Sequence, residues 1–190
     1  MLFRSGFQSV SAGADYRYYG GFYDEQLYAN TAANGPTTHT TSGGNQTLSG
    51  LYVSGTLTPA AALQVELSAR VDQWNNNDGV YTDAAGTTHY QNASRNAFSP
   101  RIGAKYRFTD ALAAHVAAYQ AFRAPNLAEL YRKSQSSTAI SLPNPELKPE
   151  FATGTELGLD WQPTQLAQVK GTIYAVDYRR SEEHTSELQS

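Results

Sequence analysis

Hydrophobic and polar positions alternate along much of this chain with a period of two, the spacing that gives each face of a β-strand its own set of side chains. The clearest stretch is Leu63 to Asp72. There Leu63, Val65, Leu67, Ala69 and Val71 share one face, and Gln64, Glu66, Ser68, Arg70 and Asp72 share the other. Ser9 to Tyr18 sets Val10, Ala12, Ala14, Tyr16 and Tyr18 against Ser9, Ser11, Gly13, Asp15 and Arg17. Arg101 to Phe108 and Thr155 to Trp161 repeat the pattern, and Gln46 to Leu57 and Gln168 to Tyr178 carry it more weakly. Leu112 to Ala121 reads as strand or helix, because alanine suits a helix as well. The pattern predicts about seven strands, all antiparallel if hairpins connect them.

The connections alternate in length. Thr58-Pro59-Ala60-Ala61, Thr109-Asp110-Ala111 and Gln162-Pro163-Thr164-Gln165 are short and rich in turn formers. Gly20 to Asn45, Asn75 to Asn96 and Arg123 to Glu150 are long, polar and without clear period. Loops of that length are uncommon in a compact soluble domain. Short turns at one end and long loops at the other are the habit of a transmembrane β-barrel. A soluble β-sandwich is the rival architecture, since its strands alternate too. Full charges on the polar faces (Glu66, Arg70, Asp72, Lys105, Arg107) and the loop asymmetry favour the barrel.

Composition narrows the reading. With 190 residues the chain can bury a sizeable core, and its mean hydropathy is -0.51. It holds no run near the roughly 18 apolar residues that a membrane helix needs, which leaves barrel strands untouched. Tyrosine is abundant at 13 residues, a residue suited to strands and to membrane–water boundaries. The absence of cysteine excludes internal disulfides and thiolate metal sites. A net charge of -3 gives nucleic acid no electrostatic handle. The first residues, Met1 to Gly6, lack the apolar segment and small-residue cleavage site of a secretory signal. A barrel of this kind needs one, so either the membrane location is wrong or the native N-terminus lies further upstream.

Phe122-Arg123-Ala124-Pro125-Asn126-Leu127-Ala128-Glu129-Leu130-Tyr131 follows directly on a predicted strand, and Asn144-Pro145-Glu146-Leu147-Lys148-Pro149-Glu150 leads into the next. This ordered pair resembles the segment of TonB-dependent outer-membrane receptors in which an FRAP-type element precedes an NP-x-LKPE element. Ser99-Pro100-Arg101-Ile102-Gly103 and Tyr106-Arg107-Phe108-Thr109-Asp110 are similar to strand and turn phrases of the same family. The motif match runs from about Ser99 to Trp161, and the hairpin pattern extends it from Ser9 to Arg179.

The resemblance implies an all-β fold: an antiparallel transmembrane β-barrel fragment, about seven strands of a barrel of about 22, with long extracellular loops. It implies a bacterial outer-membrane location, contact with outer-membrane lipid, and an N-terminal plug through which the TonB complex supplies energy. Plug, TonB box and an aromatic-ended last strand are all missing from the sequence given. Seven strands alone cannot close a barrel, since open edges in lipid leave backbone groups unsatisfied. The last residues, Arg180 to Ser190, resemble the in-frame translation of a DNA-sequencing adapter. The expected division is therefore a partial receptor barrel over 1–179 and a non-native tail over 180–190, detached from the sheet.

Residue chemistry gives the motif two readings. Pro145 and Pro149 restrict the chain to extended conformations and make a stiff return from loop to wall. On this reading Phe122, Arg123, Ala124, Pro125, Glu129, Leu130, Tyr131, Asn144, Leu147, Lys148 and Glu150 shape and anchor a loop. The alternative gives Arg123 or Glu129 direct ligand contact, because a guanidinium at a strand end can clamp a carboxylate. Tyr16 and Tyr18 read as an aromatic girdle; Tyr19, Phe22 and Tyr23 are candidates for stacking on a ligand.

Catalytic and metal chemistry is not legible. No nucleophile–base pair, phosphate loop or HExxH appears, so no enzyme, metal or cofactor is expected. His39 and His89 fall in separate long loops, His115 is placed on the lumen face, and no histidine lies between Arg123 and Glu150. Asn75-Asn76-Asn77-Asp78-Gly79 reads as a plain Asn/Gly turn rather than a calcium loop. The function implied is energised uptake of a scarce, bulky ligand: an iron-siderophore first, cobalamin second. A passive porin and a soluble all-β binding module are the rivals.

Overall fold

A computed structural model describes residues 7–27, 38–135 and 140–179. Seven long or medium strands form one antiparallel sheet in the order β1-β2-β3-β5-β6-β9-β10, and a short strand, β4, extends the outer end of β3. They span β1 Phe7–Leu27, β2 Thr38–Ala60, β3 Leu63–Asp83, β4 Gly86–His89, β5 Ala93–Arg107, β6 Leu112–Arg123, β9 Glu150–Thr164 and β10 Ala167–Arg179. Between β6 and β9 lie a one-turn helix, α1 (Leu127–Tyr131), and a separate pair, β7 (Ser134–Gln135) and β8 (Ile140–Ser141). No described helix is long and apolar enough to cross a membrane, which does not bear on crossing by strands.

The period-two pattern becomes two chemically distinct faces. Residues directly opposite in a ladder point the same way. One row across the sheet therefore reads Val65, Ala104, Val116, Leu157, Ile173. The neighbouring row on the other face reads Gln64, Lys105, His115, Gly158, Thr172. Side chains of the apolar face stay uncovered: Val10, Leu51, Val71, Phe98, Ile102, Val116, Leu159 and Ile173 are all at least half exposed. A soluble sandwich would bury such a face under a second sheet. Among the described residues the buried cluster sits on the polar face, where Trp74 meets Leu127, Leu130 and Tyr131.

Short turns close one end of the sheet. Ala61 and Ala62 join β2 to β3, residues 108–111 join β5 to β6, and Gln165 and Leu166 join β9 to β10. Serine/threonine-type turns help: the Ala111 amide donates to Thr109 Oγ1 at 3.2 Å and the Leu166 amide to Thr164 Oγ1 at 3.3 Å.

Several expectations need correction. Thr58, Pro59 and Ala60 belong to β2, while Phe108 lies just outside β5. Leu112 to Ala121, open between strand and helix in the sequence, is strand: Ala113, Ala114, Ala117 and Ala118 pair with β5, and these four and Ala121 pair with β9. Two of the long loops are largely hairpin extensions. β1 runs to Leu27, β2 begins at Thr38, and β3 continues to Asp83. Asn75, Asn76 and Asn77 are therefore ladder residues opposite Thr47, Gln46 and Asn45, not a turn. Polarity misled the reading there, because the two flanking strands satisfy the asparagine backbone whatever the side chains prefer. The turn chemistry shows up instead as a bulge, where Asp78 takes a positive φ of 55° and β3 gains a residue on β2. The tail from residue 180, expected to be detached, lies outside the described residues.

Candidate functional site

The polar face gathers its chemistry at the end away from the short turns. Arg123 ends β6 and pairs in the ladder with Glu150, which begins β9. Its Nε donates to Glu150 Oε2 at 3.0 Å, and its Nη1 donates to Glu129 at 2.9 and 3.0 Å. One planar guanidinium thus ties the two halves of the motif together, a fork geometry that suits arginine. Glu129 is doubly used. Its carboxylate accepts from the Asn126 amide at 2.9 Å while Asn126 Oδ1 accepts from the Glu129 amide at 2.9 Å. This capping box starts α1 and satisfies two amides that a short helix would otherwise waste.

From that start the segment crosses the polar face toward β1. Pro125 is buried, and its carbonyl accepts from Gln46 Nε2 at 2.9 Å. Leu127 and Leu130 pack on Trp74, with Ala124, Leu48 and Leu147 around them. Burying Leu127 and Leu130 contributes about 1.5–3 kcal/mol each before entropy is subtracted. Tyr131 is fully buried, stacks on Tyr90 with centroids 5.4 Å apart, and accepts a hydrogen bond from Asn76 Nδ2. Burial pushes its phenol above the ordinary value of 10.0, the Asn76 bond opposing. Arg132 then reaches β1, donating from Nε to Glu25 Oε1 at 2.8 Å and lying 5.5 Å over the Tyr23 ring.

Between this segment and the wall lies a cavity of about 700 Å³. Tyr19, Tyr23 and Trp74 give it aromatic surface, and Arg17, Arg70 and Asp72 give it charge. The charges are organised by a gap. Asp15, Gly50 and Asp72 lie in one row, and Arg70 fills the place of the side chain that Gly50 lacks. Its Nη1 meets Asp15 Oδ2 at 2.6 Å, and its Nε meets Asp72 at 2.8 and 2.9 Å.

The motif residues therefore come together, with different surroundings. Phe122, half-buried, ends the apolar face of β6 opposite Phe151. Asn144 and Pro145 form a turn rather than an extended run. The Leu147 amide donates to Asn144 O at 3.3 Å and the Glu146 amide to Asn144 Oδ1 at 3.1 Å. Proline preset the first turn residue there instead of straightening the chain. Pro149 is buried and Lys148 exposed. The aromatic candidates separate: Tyr19 and Tyr23 line the cavity, whereas Phe22, 71% exposed, shares the opposite face with Tyr16 and Tyr18. Sequence reading missed Trp74, Gln46 and Asn76, because a long-range partner makes each of them important. Among the described residues no group of three His, Asp or Glu could hold a metal ion.

The sheet and its motif define a piece of antiparallel β-barrel wall. The profile of the family described as "TonB dependent receptor-like, beta-barrel" matches residues 3–180, and the chain belongs to that family. No curated protein matches the sequence. Among solved structures the fold is similar to the hemophore receptor HasR of Serratia marcescens, a double mutant in complex with its hemophore HasA and heme. That likeness has a TM-score of 0.58 at 15% identity and covers 89% of this chain and 34% of HasR. The chain thus spans about a third of the length of that receptor.

Proposed function

We propose that this chain is part of an energised importer of the bacterial outer membrane, whose cargo is a bulky iron-siderophore, with cobalamin second. The observation that carries the reading is the cavity on the polar face, where Tyr19, Tyr23 and Trp74 stand beside Arg17 and Arg70. Aromatic faces and guanidinium groups together suit a flat, anionic chelate. In a barrel the polar face looks into the lumen and the apolar face meets lipid, so that cavity lies on the path of a solute. The TonB complex would act through a plug domain outside this sequence. A heme cargo is a further alternative, prompted by the likeness to HasR, although none of the side chains lining the cavity is a histidine.

The test is growth of iron-starved cells carrying the full-length gene, with and without TonB, on a panel of ferric siderophores, heme and cobalamin. TonB-dependent rescue by one siderophore class supports the proposal, and rescue by heme or cobalamin alone replaces the cargo. Uptake indifferent to TonB would make the protein a passive channel. Recovery of the native protein in the soluble fraction without detergent would end the membrane reading.

A further inference from the structure

The segment from Phe122 to Arg132 does not run outward from the wall. It leaves β6, packs on β3 and β2, and is tied at its far end to β1. It therefore spans the arc of the wall as a chord, and the cavity is the space between chord and arc. Its most buried point is neither end: Leu130 and Tyr131 are both 0% exposed.

Tyr131 sits in a socket made for it. A Cβ at Gly79 would collide with its phenol, and one at Gly44 would come within 2.9 Å of its ring edge. Glycine weakens a strand interior and is expected where something must approach the backbone closely. The socket also matches the side chain chemically, with Tyr90 stacked on the ring and Asn76 bonded to the hydroxyl.

We propose that Tyr131 is a positioning residue: it holds the Phe122–Arg132 segment inward as a fixed strap that screens the cavity off as a side chamber of the lumen. This rests on the reading of the polar face as lumen. The strap then sets the size of the opening through which a solute reaches Tyr19, Arg70 and Trp74, although Tyr131 itself does not line that chamber.

The test uses the full-length receptor in outer-membrane vesicles, with Leu127→Cys as reporter, since Leu127, itself part of the strap, is only 9% exposed where it packs on Trp74. The probe is a water-soluble maleimide, and the folded barrel is verified by its heat-dependent gel migration. Labelling should be slow with Tyr131 intact and in Tyr131→Phe, which keeps the ring. It should be at least about tenfold faster in Tyr131→Ala and Gly79→Val, corresponding to about 1.4 kcal/mol of lost seating. Should either variant fail to assemble, Gly44→Ala is the milder lever and should still raise the rate. Protection unchanged in the folded variants, or Tyr131→Phe as fast as Tyr131→Ala, overturns the proposal. A separate reporter, Leu159→Cys on the apolar face, judges the wall reading. If the soluble maleimide labels it freely, the lumen assignment fails whatever Tyr131 does.

Discussion

Arg123 and Glu150 stand 27 residues apart in sequence yet face each other across the β6–β9 ladder, Nε 3.0 Å from Oε2. The rest of the same guanidinium holds Glu129, whose carboxylate also caps α1. The motif thus closes on itself: the residue that ends one strand fixes both the helix that follows and the strand that returns.

Replacing Glu150 with Gln should loosen this closure without unfolding the wall. Arg123 is about half exposed, so the pair is worth only about 1 kcal/mol. Amides of the α1 segment should exchange with solvent about fivefold faster, measured by mass spectrometry on the full receptor. Arg123→Lys should lie between, because a single ammonium cannot serve both carboxylates in a planar fork. A loss of ligand affinity far beyond that factor would instead mean that Arg123 touches the cargo.

Arg70→Met should be much more damaging. It leaves the Asp72 carboxylate, whose side chain has 0% exposure, without its cation. Isolating a buried charge in this way costs about 3 kcal/mol. The urea midpoint of the receptor in lipid vesicles should fall accordingly, and Asp72→Asn in the same background should restore part of it. Equal stability of the two single and double variants would show that the lumen hydrates Asp72 after all.

The two faces should respond oppositely to charge. Val116→Arg on the apolar face should destabilise the vesicle-inserted barrel by about 2–4 kcal/mol. Lys105→Gln, on the polar face and 50% exposed, should change it by less than about 1 kcal/mol. Comparable effects from both would contradict the assignment of the faces.

Alkaline pH should release the strap. The Tyr131 phenol is held above its ordinary 10.0 by burial, so the unseated state ionises first as pH rises. The seat therefore contributes fully below about pH 10 and is progressively lost above it. Exchange of the α1 amides, corrected for intrinsic rates, should rise between pH 9 and pH 11 (roughly one unit either side of the phenol's ordinary value). Tyr131→Phe, with no proton to lose, should remove that rise.

What was legible in the sequence follows from locality. Alternation at Leu63 to Asp72 is a property of neighbours along one strand, so it survives without knowledge of the partner. The motif words were legible for the same reason, and Asn126 with Glu129 even spelled out a capping box. The strand extensions were not legible. Asn75 to Asn77 carry no strand preference, and they are extended because β2 pairs with all three and β5 with Asn75 and Asn76.

By itself the sequence determined the two-faced strands, their hairpin order and the end at which the long connections fall, since each depends on contacts a few residues apart. Only the tertiary structure decided that the Phe122–Arg132 segment folds inward. That outcome needs Gly44, Gly79, Asn76 and Tyr90 to meet Tyr131 from 41 or more positions away. It also needs Arg132 to find Glu25, 107 positions away. No local preference encodes such a meeting. The socket exists only once the sheet has brought its walls together.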